Sequence, residues 1–71
     1  MKMIEVFKTD VHEAEVAEKL LTMLQLHFPE SRINFDLEDC DKILRIAGGN
    51  FTAVKVAALV NAHGFECLML E

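Results

Sequence analysis

An α+β fold of four strands and two helices, in the order β-α-β-β-α-β, is predicted by three observations on this sequence. Val16, Leu20, Leu24 and Phe28 recur every fourth residue, the spacing of a helix buried along one stripe. Arg32 to Glu38 instead alternates, with Ile33, Phe35 and Leu37 on one side and Arg32, Asn34 and Asp36 on the other, the period of a half-buried strand. A second apolar stretch, lying between Gly48-Gly49 and Gly64, returns to helical spacing at Val56, Leu59 and Val60. With 71 residues, 52% of them hydrophobic, and only 3 glycines and 1 proline, one domain spanning residues 1–71 is expected rather than a disordered linker.

Each element follows from local chemistry. Met3 to Lys8 is rich in β-branched and aromatic residues and reads as the first strand. The first helix carries the Val16–Phe28 stripe, widened by Ala17, Leu21 and Met23. Pro29 ends it, because a residue before proline is pushed away from helical geometry. After the alternating strand, Glu38-Asp39-Cys40-Asp41 is polar and turn-like, and Lys42 to Ala47 returns as the other arm of a hairpin. Asn50 is the expected cap of the second helix, which runs to Ala62, with Gly64 just past its end and Phe65 to Leu70 as the last strand. Right-handed crossovers turn this order into a ferredoxin-like sandwich, a four-stranded antiparallel sheet in the order 4-1-3-2 with both helices on one face.

Composition removes several classes of function. Seven basic residues against twelve acidic ones give a net charge of −5, which argues against a partner bound through nucleic-acid phosphates. Glu18, Lys19 and Gln25 interrupt the longest apolar stretch, so no membrane span is expected. Met1 to Glu5 carries an acid where a leader peptide needs its apolar stretch, so a mature cytoplasmic chain is expected. Cys40 and Cys67 fall at opposite edges of the sheet, too far apart for a disulfide, and are expected as free thiols. No Ser-His-acid order and no phosphate loop is present, so neither catalysis nor a bound cofactor is expected.

The topology gathers three connections at one end of the sheet: Thr9 to Glu13, Glu38 to Asp41 and His63 to Phe65. Three stretches stand out: Val6-Phe7-Lys8-Thr9 before the first helix, Ile33-Asn34-Phe35-Asp36-Leu37, and Val56 and Val60 followed by His63-Gly64-Phe65-Glu66. Together they resemble the heavy-metal-associated domains of copper chaperones and metal-transporting ATPases. The first is similar to that family's first strand and the start of its metal loop, the second to its second strand, and the third to its closing helix and the turn into its last strand. The resemblance implies a Met-x-Cys-x-x-Cys loop that clamps a soft ion between two thiolates. In this chain Asp10 and Glu13 stand where the cysteines would, and Lys8 stands where the methionine would. Soft-metal binding is therefore not expected.

Two readings of the altered loop follow. The preferred one is structural: Asp10 caps the first helix and Glu13 reaches back from three residues on, a capping box favoured by the helix dipole. Phe65 then seals the core beneath Asp10 and Val11. The other is a site for a borderline divalent ion held by Asp10, His12 and Glu13, with His63 and Cys40 approaching from the neighbouring loops. The second helix, whose only charge between Phe51 and Ala62 is Lys55, offers an alanine-rich outer face of Ala53, Ala57, Asn61 and Val54 for a protein partner or a second copy. A small non-catalytic interaction module is the expected function, with non-thiolate metal binding or delivery as the alternative.

Overall fold

A computed structural model describes residues 3–70; Met1 and Lys2, on which the leader argument partly stands, lie outside the described residues. The elements run β1 (Ile4–Thr9), α1 (Ala14–His27), β2 (Arg32–Asp36), β3 (Ile43–Ala47), α2 (Ala53–Ala62) and β4 (Cys67–Leu70). All strand pairs are antiparallel and the sheet order is β2-β3-β1-β4, the predicted 4-1-3-2 read from its other edge.

Alternation along the strands sorts the sheet into two faces. Phe7 pairs with Leu44 and with Met69, and Leu44 pairs with Phe35. Phe7 and Leu44 are buried in one cluster with Leu24 of α1 and Val56 and Val60 of α2, so both helices cover that side. A second cluster joins Val11 to Ala17 and Leu20 under the start of α1. Half-buried Phe65 packs against both clusters, as expected of it. Ile33, Ile46 and Cys67 share the helix side, whereas Val6, Asn34, Arg45 and Leu70, one register step along, face away from the helices. None of the described helices is long and apolar enough to cross a membrane.

The first helix ends as predicted. Phe28 is its C-cap, its N–H donating to the Leu24 carbonyl at 2.8 Å. The amide of Gln25 then donates to the carbonyls of Phe28 and Ser31, at 3.0 and 2.9 Å, and closes the turn around Pro29. Besides shifts of one or two residues at the ends of β1, β2 and β3, three boundaries differ from expectation. The last strand begins at Cys67, not Phe65, because Phe65 is drawn inward to pack and its N–H bonds back to Val60. The second helix is capped by Thr52 rather than Asn50, with the Thr52 hydroxyl accepting from Lys55 N–H at 3.2 Å. Buried Phe51 and the positive φ of Gly49 (+72°) hold the chain out of helical geometry until that point. The first helix begins at Ala14, which removes Asp10 from its predicted capping role.

Candidate functional site

Thr9 is the residue that brings the loops of the β1 end together. It is 5% exposed, the last residue of β1, and its N–H donates to the Asp41 carbonyl at 3.0 Å. Its hydroxyl donates to the Lys42 carbonyl and accepts from Val11 N–H at 3.3 Å. One buried side chain thus ties the β1–α1 connection to the β2–β3 turn. That turn is tight: Lys42 N–H donates to the Asp39 carbonyl at 3.0 Å, and Lys42 itself adopts φ +47°. The Asp39 carboxylate accepts from Asp41 N–H at 2.8 Å, and the Lys42 ammonium donates to the Leu37 carbonyl at 2.9 Å.

Asp10 ties in the third connection. Its carboxylate accepts from Glu66 N–H at 2.8 Å, across 56 positions of sequence, at the point where the chain turns into β4. This corrects the capping box. Glu13 is the N-cap of α1, with extended backbone (φ −106°, ψ 134°) and no side-chain cap bond. The physical reason lies in Val11, which is fully buried against Ala17 and Leu20. To seat it, residues 10–13 stay out of the helix, so Asp10 is three residues too early to cap and is spent on β4 instead. Glu15, in the first turn, is the carboxylate placed to meet the helix dipole.

At the end of α2, His63 is the C-cap and Gly64 follows at φ +89°. The His63 ring holds its Nδ1 2.9 Å from the Leu59 carbonyl. A carbonyl only accepts, so Nδ1 carries the proton and Nε2 is left as the nitrogen able to accept or ligate. The Asn61 amide donates to the Phe65 carbonyl at 2.7 Å and completes the turn.

The predicted ligand set therefore surrounds one end of the molecule without converging. His12, Glu13, Cys40 and His63 are exposed and Asp10 is half-buried. No three of Asp10, His12, Glu13 and His63 bring ligand atoms within 4.8 Å of one another; the group of described residues that does is Asp39, Cys40 and Asp41. The Cys40 thiol lies 4.0 Å from the Asp41 carboxylate, which also faces the Lys8 ammonium at 3.8 Å. That ion pair is exposed and contributes little, about 0–1 kcal/mol.

The charge, by contrast, does concentrate. Residues 10–15, 36–41 and 66 hold eight of the chain's twelve carboxylates. Lys8 and Lys42 are the cations among them, and Lys42 is turned onto a carbonyl. Both cysteines are free, Cys40 exposed and Cys67 buried. Burial pushes the Cys67 thiol up to about 11, so it is a packed apolar side chain rather than a nucleophile. Comparison with protein-family models, with curated proteins and with solved structures gave no match, so the family resemblance rests on the βαββαβ topology and the residues quoted above.

Proposed function

We propose that the chain is a small, non-catalytic cytoplasmic domain of the heavy-metal-associated type that lacks the soft-metal site and binds a protein partner. The observation that carries this reading is the state of the loop end. Where the family resemblance calls for a thiolate pair, Asp10 is hydrogen-bonded to Glu66 N–H and Glu13 caps a helix with its backbone. Around them stand exposed carboxylates: Glu13, Glu15, Glu38 and Asp39. Such a surface attracts a basic segment and repels an acidic one, and its reach is set by salt. The outer face of α2 differs from the expected one, because Ala53 and Ala57 turn inward onto the core; Val54, Ala58 and Asn61 are exposed there and give a second place where a partner or another copy can approach closely.

The non-thiolate metal reading is favoured by one observation, the clustering of Asp39, Cys40 and Asp41, with His63 Nε2 as a further donor on the adjoining loop. The partner reading is tested by titrating the isotope-labelled chain with a lysine-rich peptide while following backbone amides. Expected are shifts confined to residues 9–13, 38–41 and 63–66 that shrink as salt is raised. They should vanish in the double charge reversal Glu38→Lys, Asp39→Lys. Shifts elsewhere, or shifts indifferent to the reversal, would refute it.

A further inference from the structure

The face of the sheet away from the helices is left without a role by the loop-end reading, and its pattern is specific. Strand register places Ile4, Val6, Leu68 and Leu70 on it as one apolar strip across β1 and β4. Ile4 is 55% exposed, Leu68 59% and Leu70 39%. The same register sets Arg45 beside Val6, Asn34 beside Arg45, Arg32 beside Ala47, and Lys8 beside Leu68. In a chain of net charge −5, this face carries three of the seven cations. Its strand carboxylate is Asp36, at the far end of the edge strand β2, and Asp41 lies 3.8 Å from Lys8 at its rim. At the opposite rim is a depression of about 210 Å³ lined by Ile4, Ala47, Gly48, Arg32 and Glu30.

We propose that this face docks an acidic amphipathic segment of a partner protein. The segment's apolar side lies along Ile4, Val6, Leu68 and Leu70, one large apolar side chain enters the depression beside Arg32, and its carboxylates meet Arg32 and Arg45. Charge complementarity selects this occupant. The strands of this face hold Lys8, Arg32 and Arg45 against Asp36, with Asp41 and Glu30 at its rims, whereas the loop end is strongly acidic, so an acidic segment finds its cations here and not there. Single-stranded nucleic acid, which also seeks cations on a sheet, needs aromatic platforms for its bases. On the described strands the aromatics are Phe7 and Phe35, and both point to the helix side.

The inference rests on the reading of the chain as an interaction module and gives it a second surface, one that holds cations. The test titrates the full isotope-labelled chain with a synthetic helical peptide of leucine and glutamate, with its leucine–lysine counterpart, and with anionic phosphatidylglycerol vesicles. Expected are saturating shifts on β1, β3 and β4 with the glutamate peptide and none there with the lysine peptide. Arg45→Glu and Leu68→Glu, both at exposed positions, should each weaken binding by about tenfold or more, whereas Leu26→Glu, exposed on α1, leaves it unchanged. The amide spectrum of each variant reports whether it is folded. Four results overturn the proposal: no shifts, shifts confined to the helices or loop end, binding indifferent to Arg45→Glu, or tighter binding to vesicles than to peptide. Because the loop-end titration reads residues 9–13, 38–41 and 63–66, either surface can fail while the other stands.

Discussion

Replacing Thr9 with valine tests how the loop end is held. The two side chains have nearly the same shape, so packing is kept while one oxygen is removed. That oxygen serves two buried or part-buried groups, the Lys42 carbonyl that it donates to and the Val11 N–H that it accepts from. A buried polar group left without a partner costs about 1–3 kcal/mol. The Val11 bond is long at 3.3 Å and contributes little, so the loss is dominated by the Lys42 carbonyl and should come to about 2 kcal/mol. For a domain of this size each kcal/mol moves the midpoint by about 4–8 °C, which gives a fall in Tm of about 8–16 °C. Thr9→Ser keeps the oxygen and loses one methyl, about 1 kcal/mol. Thermal and urea unfolding of the three proteins give the comparison. Thr9→Val no less stable than Thr9→Ser would refute the reasoning, since the hydroxyl would then hold nothing.

Other perturbations give equally definite expectations. Asp10→Ala removes the acceptor from Glu66 N–H at a partly exposed site and should cost about 0.5–1.5 kcal/mol, while Asp10→Asn keeps an oxygen there and should cost less; equal losses by urea unfolding would count against the bond. At Gly49 a methyl group would meet Ser31 Oγ at 2.8 Å on a backbone with φ +72°, whereas at Gly48 (φ +75°) it meets nothing within 4 Å. Gly49→Ala should therefore destabilise by about 2–3 kcal/mol and Gly48→Ala by about 1 kcal/mol, and the reverse order in thermal melts would be wrong for this turn. In the native protein a thiol reagent should modify Cys40 at once and Cys67 only on unfolding. Because Cys67 ionises near 11 when folded and near 9 when unfolded, the unfolded chain releases its proton first. Stability is unaffected by this group below pH 9 and falls by about 2–3 kcal/mol as pH rises to 11. Cys67→Ala should flatten that part of the decline, and an unchanged slope would show that the thiol is not the cause.

Much of this molecule is legible before its structure is seen. The strand order and the first helix follow from two simple periods, because Ile33 and Phe35 had to share one side and Leu20 and Leu24 another. The meeting of three loops at one end follows from topology alone. What escapes is whatever a distant partner decides. Asp10 looks like a cap from its spacing to Glu13, but the burial of Val11 delays the helix and Glu66 N–H, 56 positions away, takes the carboxylate. Asn50 and Thr52 are both good caps, and burial of Phe51 selects the later one. The buried hydroxyl of Thr9 has no local signal either, since its role is set by the turn that packs beside it. Gln25 closes the end of α1 without belonging to any motif.

The most direct test of the loop end as a hydrogen-bonded, carboxylate-bearing surface in place of a metal site is a titration of the full chain with Zn(II), Ni(II) and Cu(I). Backbone amides of Thr9 to Glu13, of Asp39 to Asp41 and of His63 would be followed throughout. The expected result is no saturating shift at micromolar metal, with Asp10 still bonded to Glu66 N–H. Micromolar saturation centred on Asp10, His12 and His63 would contradict it and install the non-thiolate metal site instead.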